Sequence, residues 1–408
     1  MSAVAAPERM GPPVAGAVAI EELGELTPIG RPGGQGRVYQ PDHVPPALGA
    51  SAVVVKLYRR PPAGDATKVL SGMVTWSRRL DPEQRSRLRE LTGWPLALVC
   101  RGPQPAGILM HDLRGRFEVP FVMPSGRRQR VLLTLEHLLG SDHYLELRGL
   151  PVRLDTATRL RVAQAISQAL AFLHRHGIAV GDIAPSNLLI ALTPAGPRAC
   201  FIDCDSMVFR GRRALPAVET ADWQLPAGFR EPSATRAADA YKLGLIVLRL
   251  LARSHDARAL RPHLRHVPVE LREPLARALG EEPARRPAAG EWQRALRELA
   301  ADPELSSRYP EPAVQPPVAA APPRRPPATP ASAGSLAGLG RPPARRRGPQ
   351  PLGLAWAALV AVVLWLLFAH LLAAAVPNRP NLSAAPSGGP AAGLQYYYYG
   401  PGPGGLGR

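Results

Sequence analysis

Cysteine is scarce, with three in 408 residues. So few thiols exclude a disulfide-stapled scaffold and suit a reducing compartment. Lysine is just as rare: only Lys56, Lys68 and Lys242 occur, against 47 arginines. In a chain that uses arginine almost everywhere, each lysine raises the question of what it does there. Acidic residues are also few, 32 against 50 basic ones, leaving a formal net charge of +18. The first residues, MSAVAAPERMGPPVAGAVAIEELGEL, lack a basic start followed by an unbroken apolar run, so they do not read as a secretory signal. What is plentiful is proline and glycine, 48 and 38 residues. That is too much for one compact fold and points to long unfolded stretches. Hydrophobic residues still reach 46%, enough for a real core, and the length allows two or three domains.

Composition divides the chain. Residues 1–19 are expected to be disordered, and residues 20–300 have a globular composition. Residues 301–350 contain 13 prolines and read as a Pro/Arg-rich linker, because such a stretch cannot bury enough apolar area to offset its ordering entropy. Residues 352–376 carry no formal charge and one interior histidine, His370. A transmembrane helix needs roughly 20 such residues. Arg324, Arg325, Arg341, Arg345, Arg346 and Arg347 precede this run, and only Arg379 and Arg408 follow it. The bias predicts a single span in the cell membrane with the N-terminal part in the cytoplasm, and makes the lipid bilayer a partner. It also accounts for part of the positive charge without nucleic acid, which is not expected as a partner. Residues 377–408, with tyrosines at 396–399, would form a short extracytoplasmic tail.

The globular part carries four groups of chemistry-bearing residues. Between Ile29 and Tyr39, Gly33, Gly34 and Gly36 form a glycine-rich turn between two strand-like runs, of the kind that lets backbone N–H groups approach a phosphate. Lys56 follows in the β-branched run Ser51 to Tyr58. Leu160, Val162, Ala163, Ile166, Ala169, Leu170 and Leu173 recur at helical spacing between Asp155 and Gly177. Directly after that helix, Asp182 and Asn187 stand five apart in Val-Gly-Asp-Ile-Ala-Pro-Ser-Asn. Asp203 and Asp205 then end an apolar strand in Phe-Ile-Asp-Cys-Asp-Ser. A glycine turn, a strand lysine, an Asp/Asn pair and a strand-end acid, in that order, form the parts list of phosphoryl transfer.

On these motifs the chain resembles the protein kinase superfamily over roughly residues 24–300. It is most similar to bacterial Ser/Thr kinase-like proteins of eukaryotic type, in the branch that has V-G-D-x-x-P-S-N and I-D-C-D-S. Some members of that branch carry helix-hairpin-helix modules, for which this chain has no counterpart. The resemblance implies an α+β, two-lobed fold: a β-rich N-lobe over about 20–112 and a helical C-lobe over about 113–300. It implies ATP with Mg²⁺ or Mn²⁺, and protein substrates phosphorylated on Ser or Thr. Asp182, Lys56 and Asn187 would be the catalytic residues. Gly30, Gly33, Gly34, Gly36, Val38, Lys56, Met110 and His111 would surround the nucleotide, and Asn187, Asp203 and Asp205 would hold metal. Asp239 would brace the backbone of the loop around Asp182, and Arg286 would pair with Glu231.

The departures from that pattern matter. Val180-Gly181 stands where the family has His-Arg, so docking of a phosphorylated activation loop has lost its arginine. Ala184 replaces the usual lysine two residues after the aspartate, and Arg31-Pro32 is inserted in the glycine turn. The stretch from Lys68 to Leu80 offers no glutamate for Lys56, which leaves Glu83 as the nearest candidate. These gaps keep two alternatives open. One is a pseudokinase that senses nucleotide or acts as a scaffold at the membrane. The other is a small-molecule phosphotransferase. Cys200 and Cys204 have no nearby histidine or further cysteine and read as small buried residues.

Overall fold

The computed structural model of the chain describes residues 16–46, 52–150, 152, 154–216 and 219–309. They form an α+β structure, rich in sheet in its N-terminal part and helical later. The main sheet has six strands, in the spatial order Val18–Ala19, Pro95–Arg101, Gln104–His111, Val53–Tyr58, Gly36–Pro41 and Leu26–Ile29. All neighbours are antiparallel except the first pair, in which Val18 and Ala19 run parallel to Val99 and Cys100. Val53, Val54 and Val55 explain why the fourth strand lies inside the sheet. Branched side chains suit a pleated surface, and all three are buried.

Helix Asp65–Arg79 packs on this sheet through Val69, Leu70, Met73 and Val74, one apolar stripe at helical spacing. Trp94 fastens it, donating from Nε1 to the carbonyl of Met73 at 3.1 Å. Trp76, Trp94 and Phe209 then form an aromatic cluster that joins the helix and the sheet to the segment after Asp203.

The later part is built around helix Thr156–Arg175. Asp155 caps it by accepting from the Thr158 N–H at 2.7 Å, and its apolar face sinks into the core. Helix Arg236–Ala252 is buried along almost its whole length, and helix Ala289–Ala300 packs across the first. One continuous apolar cluster runs from Met73 and Leu98 beside the sheet to Leu170 and Leu248 among the helices.

Described secondary structure extends past the composition boundaries at both ends. Val18 and Ala19 already pair in the sheet, although residues 1–19 read as disordered. Beyond Ala300, the Tyr309 carbonyl accepts from Thr156 Oγ1 at 3.0 Å and its hydroxyl from the Val269 N–H. Those contacts hold the segment after Ala300 on the helices. Among the described residues no helix is long and apolar enough to cross a membrane. The apolar run 352–376, residues 310–350 of the linker and the tail lie outside them.

Candidate active site

The glycine turn joins strands Leu26–Ile29 and Gly36–Pro41, closed by a bond from the Gly33 N–H to the Gly36 carbonyl at 2.8 Å. Two of its glycines are required by the backbone. Gly30 has φ +62°, a left-handed conformation that side chains disfavour. At Gly36 a Cβ would lie 2.3 Å from the Leu57 carbonyl oxygen, so only glycine permits that approach to the next strand. The register pairs Val38 with Lys56 and Lys56 with Ile108, which sets the lysine in mid-sheet under the turn.

Lys56 is buried and fully engaged. Its Nζ donates to Asp203 Oδ1 at 2.7 Å, lies 2.9 Å from both oxygens of Asp205, and reaches Gln35 Oε1 at 3.4 Å. Burial alone would pull the ammonium pKa down; Asp205 and Asp203 outweigh it and hold the pKa above its ordinary value. Burial, with the Asp205 carboxylate alongside, pushes the Tyr58 phenol well up. Asp203 adopts φ 61° and ψ 33°, a left-handed conformation that costs a non-glycine residue roughly 1–3 kcal/mol. The charged bond to Lys56 offsets that cost.

Local pairing brings Asn187 and Asp203 together. Strands Leu188–Thr193 and Gly196–Phe201 form a hairpin with Leu188 opposite Phe201, and the Ile202 N–H donates to the Asn187 carbonyl at 3.0 Å. The loop before Asn187 is braced from helix Arg236–Ala252. The buried Asp239 accepts from the N–H groups of Val180 and Gly181, each at 2.8 Å, and pairs with His174 Nε2 at 2.9 Å. The bracing expected of Asp239 is therefore present. So is the Arg286–Glu231 ion pair, at 2.5 Å.

Asp182 accepts from Asn187 Nδ2 at 3.1 Å and from the Thr220 N–H and Oγ1 at 3.1 and 3.2 Å. Burial raises its carboxyl pKa, which the Thr220 bonds and the nearby Lys242 charge partly offset. Lys242 is completely buried and donates to the Gly181 carbonyl and to Glu219 Oε1, both at 2.6 Å.

These groups meet in a cleft of ≈ 290 Å³ lined by Gly33, Gly34, Gly36, Val38, Lys56, Asp182, Asn187 and Asp203, with Arg31, Gln35, Ser186, Ser206, Arg213, Pro216 and Thr220. A smaller, more apolar recess of ≈ 70 Å³ adjoins it. Val38, Lys56 and Asp203 line both, and Val54, Met110, His111, Leu132 and Leu189 line the recess. Burial, with Arg89 and Arg116 nearby, holds the His111 pKa down at about 4, so that ring is neutral near pH 7. Asn187 uses only its amide NH₂ within the site, and Asp203 keeps a side chain that is 43% exposed. Both can present oxygen to a hard cation in the cleft. Among the described residues no three His, Cys, Asp or Glu side chains form a metal cage.

Three expectations need correcting. Glu83 does not reach Lys56. It sits on helix Pro82–Leu91 and lines a separate surface hollow with Phe172 and His176. Asp203 and Asp205 take the place expected of a glutamate. Asp205 is correspondingly not a cleft group, since it is 1% exposed with both oxygens at Lys56. Gly30 shapes the turn without lining the cleft. Sequence reasoning missed Thr220, Glu219, Lys242 and Arg213. For Lys242 the rarity of lysine was a usable signal. The others had none, because they enter the site only through folding.

No family model matches the chain. A stretch of 83 residues is 34% identical to the Probable serine/threonine protein kinase IREH1 of Arabidopsis thaliana, covering 20% of this chain and 6% of that protein. The likeness is thus to a Ser/Thr kinase, over part of the chain.

Proposed function

We propose that this chain is an ATP-dependent phosphotransferase of the protein kinase type, two-lobed, with N-lobe about 20–112 and C-lobe about 113–300, acting on Ser or Thr hydroxyls of proteins. The observation that carries the reading is the convergence of the glycine turn, Lys56, Asp182, Asn187 and Asp203 on one cleft. The partial likeness to a Ser/Thr kinase supports it.

In this reading the adenine occupies the recess beside Met110 and His111, and the phosphates lie under Gly33, Gly34 and Gly36. Lys56 supplies positive charge to the phosphates, for which the Asp203 carboxylate must loosen its hold on it. Asn187 and Asp203 would hold Mg²⁺ or Mn²⁺, which neutralises phosphate oxygens. Asp182 orients the acceptor hydroxyl and takes its proton. Charge at Ala184 is missing, so turnover is expected at or below the roughly 1–100 s⁻¹ usual for kinases. The arginine bias around the apolar run 352–376 supports a single membrane span with the kinase part in the cytoplasm; fractionation of the full chain into membranes tests that.

The deciding experiment uses full-length protein, Mg²⁺ and labelled ATP. Transfer to itself or to generic protein substrates is expected, and Asp182→Asn should abolish it while ATP binding persists. Binding without any transfer, in the unsubstituted protein, favours a nucleotide-sensing pseudokinase. Ala184 and the double engagement of Lys56 are what favour that second reading.

A further inference from the structure

Arg213 stands out as an unused charge at this site. It lies in strand Arg212–Arg213, opposite Val208, which in turn pairs with Ala179 just before the loop of Asp182. That pairing lays the guanidinium against Gly181: a Cβ there would be 2.7 Å from Arg213 Nη2. Gly181 also has φ +79°. Glycine thus fills the place of the family's arginine, and the space it leaves admits an arginine from a distant segment. The Arg213 side chain lines the same cleft as Asp182 and Thr220.

The carboxylates of the site are engaged elsewhere. Asp182 holds Asn187 and Thr220, Glu219 holds Lys242, and Asp203 and Asp205 hold Lys56. Asp239 holds the loop backbone and His174. Arg213 itself makes no hydrogen bond or ion pair among the described residues. Arg31, from the inserted part of the glycine turn, lines the cleft in the same uncompensated state. A guanidinium keeps its charge at any physiological pH and matches a carboxylate with two parallel N–H bonds. A cleft that presents two such groups beside its proton-accepting aspartate is set for an acceptor that brings negative charge with it.

We infer that Arg213 selects acidic peptides: the hydroxyl reaching Asp182 belongs to a Ser or Thr flanked by carboxylate side chains, which the Arg213 guanidinium binds. Arg31 adds charge at the rim of the cleft. This rests on the phosphotransferase reading above and deepens it by naming the substrate class.

The test compares three synthetic peptides with a single acceptor serine, flanked by Glu, Ala or Lys. Full-length protein and its Arg213→Ala and Arg213→Glu variants are assayed for kcat/KM, with ATP affinity measured separately. The unsubstituted protein should prefer the Glu peptide over the Lys peptide by roughly ten-fold or more, as for a charge-assisted contact. Arg213→Ala should level the three, and Arg213→Glu should reverse the order, read as the ratio between peptides at saturating ATP for each variant. Reversal cannot come from a damaged fold. Equal use of all three peptides by the unsubstituted protein, or a Glu preference that survives Arg213→Glu, overturns the inference and leaves the kinase reading standing. Preference for glycerol 3-phosphate, a small anionic alcohol, over every peptide also overturns it. If the unsubstituted protein binds no ATP, the kinase reading fails and the inference falls with it.

Discussion

Lys242 and Glu219 form a 2.6 Å ion pair deep beneath the cleft, with the lysine wholly buried. The same Nζ holds the Gly181 carbonyl, and the residue after Glu219 is Thr220, which donates twice to Asp182. One lysine therefore ties the loop that carries Asp182 to the segment that closes over it. This tie requires no phosphorylated residue, in keeping with the absence of an arginine before Asp182.

Replacing Lys242 should affect transfer more than nucleotide binding. Its charge lowers the Asp182 pKa, which burial has raised. A base acts only when deprotonated, so the rate should fall as pH drops through that raised pKa. In Lys242→Met this acid limb should move to still higher pH while ATP affinity holds. A pH–rate profile checks it. A lower rate with an unmoved limb would mean that Lys242 only supports the fold.

Lys56→Met should weaken ATP binding and also destabilise the protein. It leaves Asp203 and Asp205 facing each other with no cation between them, and an uncompensated buried charge typically costs about 3–5 kcal/mol. Mg²⁺ without nucleotide should recover more thermal stability in this variant than in the unsubstituted protein, because the ion neutralises what the lysine did. Thermal unfolding with and without Mg²⁺ measures the difference.

Acid should unfold the protein partly through His137. Its Nδ1 accepts from the Thr134 N–H at 3.2 Å, a role open only to the neutral ring. Burial lowers its pKa from 6.5 to about 4. Between those two values the unfolded chain binds a proton that the folded chain refuses, so stability is lost as pH falls through that window. The contribution is on the order of 2 kcal/mol, and His111, lowered from 6.5 to about 4 by burial, acts in the same direction. Urea unfolding at pH 7 and pH 5 should show the loss, and His137→Gln should reduce it.

Whatever depends on near neighbours was legible in the sequence. Asp155 caps its helix through a residue three positions on. Asp182 and Asn187, five apart, are hydrogen-bonded to each other. The glycine turn lies between two strands because Gly30 and Gly36 satisfy local backbone demands. Even Asp239, far from the loop it braces, was readable, since it opens a long apolar helix in the spacing of a known family.

Tertiary structure alone decided the partners of the charges. Lys56 meets Asp203 across 147 positions of chain. No spacing rule selects that acid over Glu83, because the choice is made by which carboxylates are buried beside the lysine once sheet and hairpin meet. Lys242 and Glu219 are likewise joined only when helix Arg236–Ala252 passes under the loop. Arg213 is one arginine among 47 in the sequence. It is singled out only by the strand pairing that sets it against Gly181, in a cleft where the surrounding carboxylates already hold other groups. A charge takes its meaning from the charges nearest to it in space, and those are set by folding.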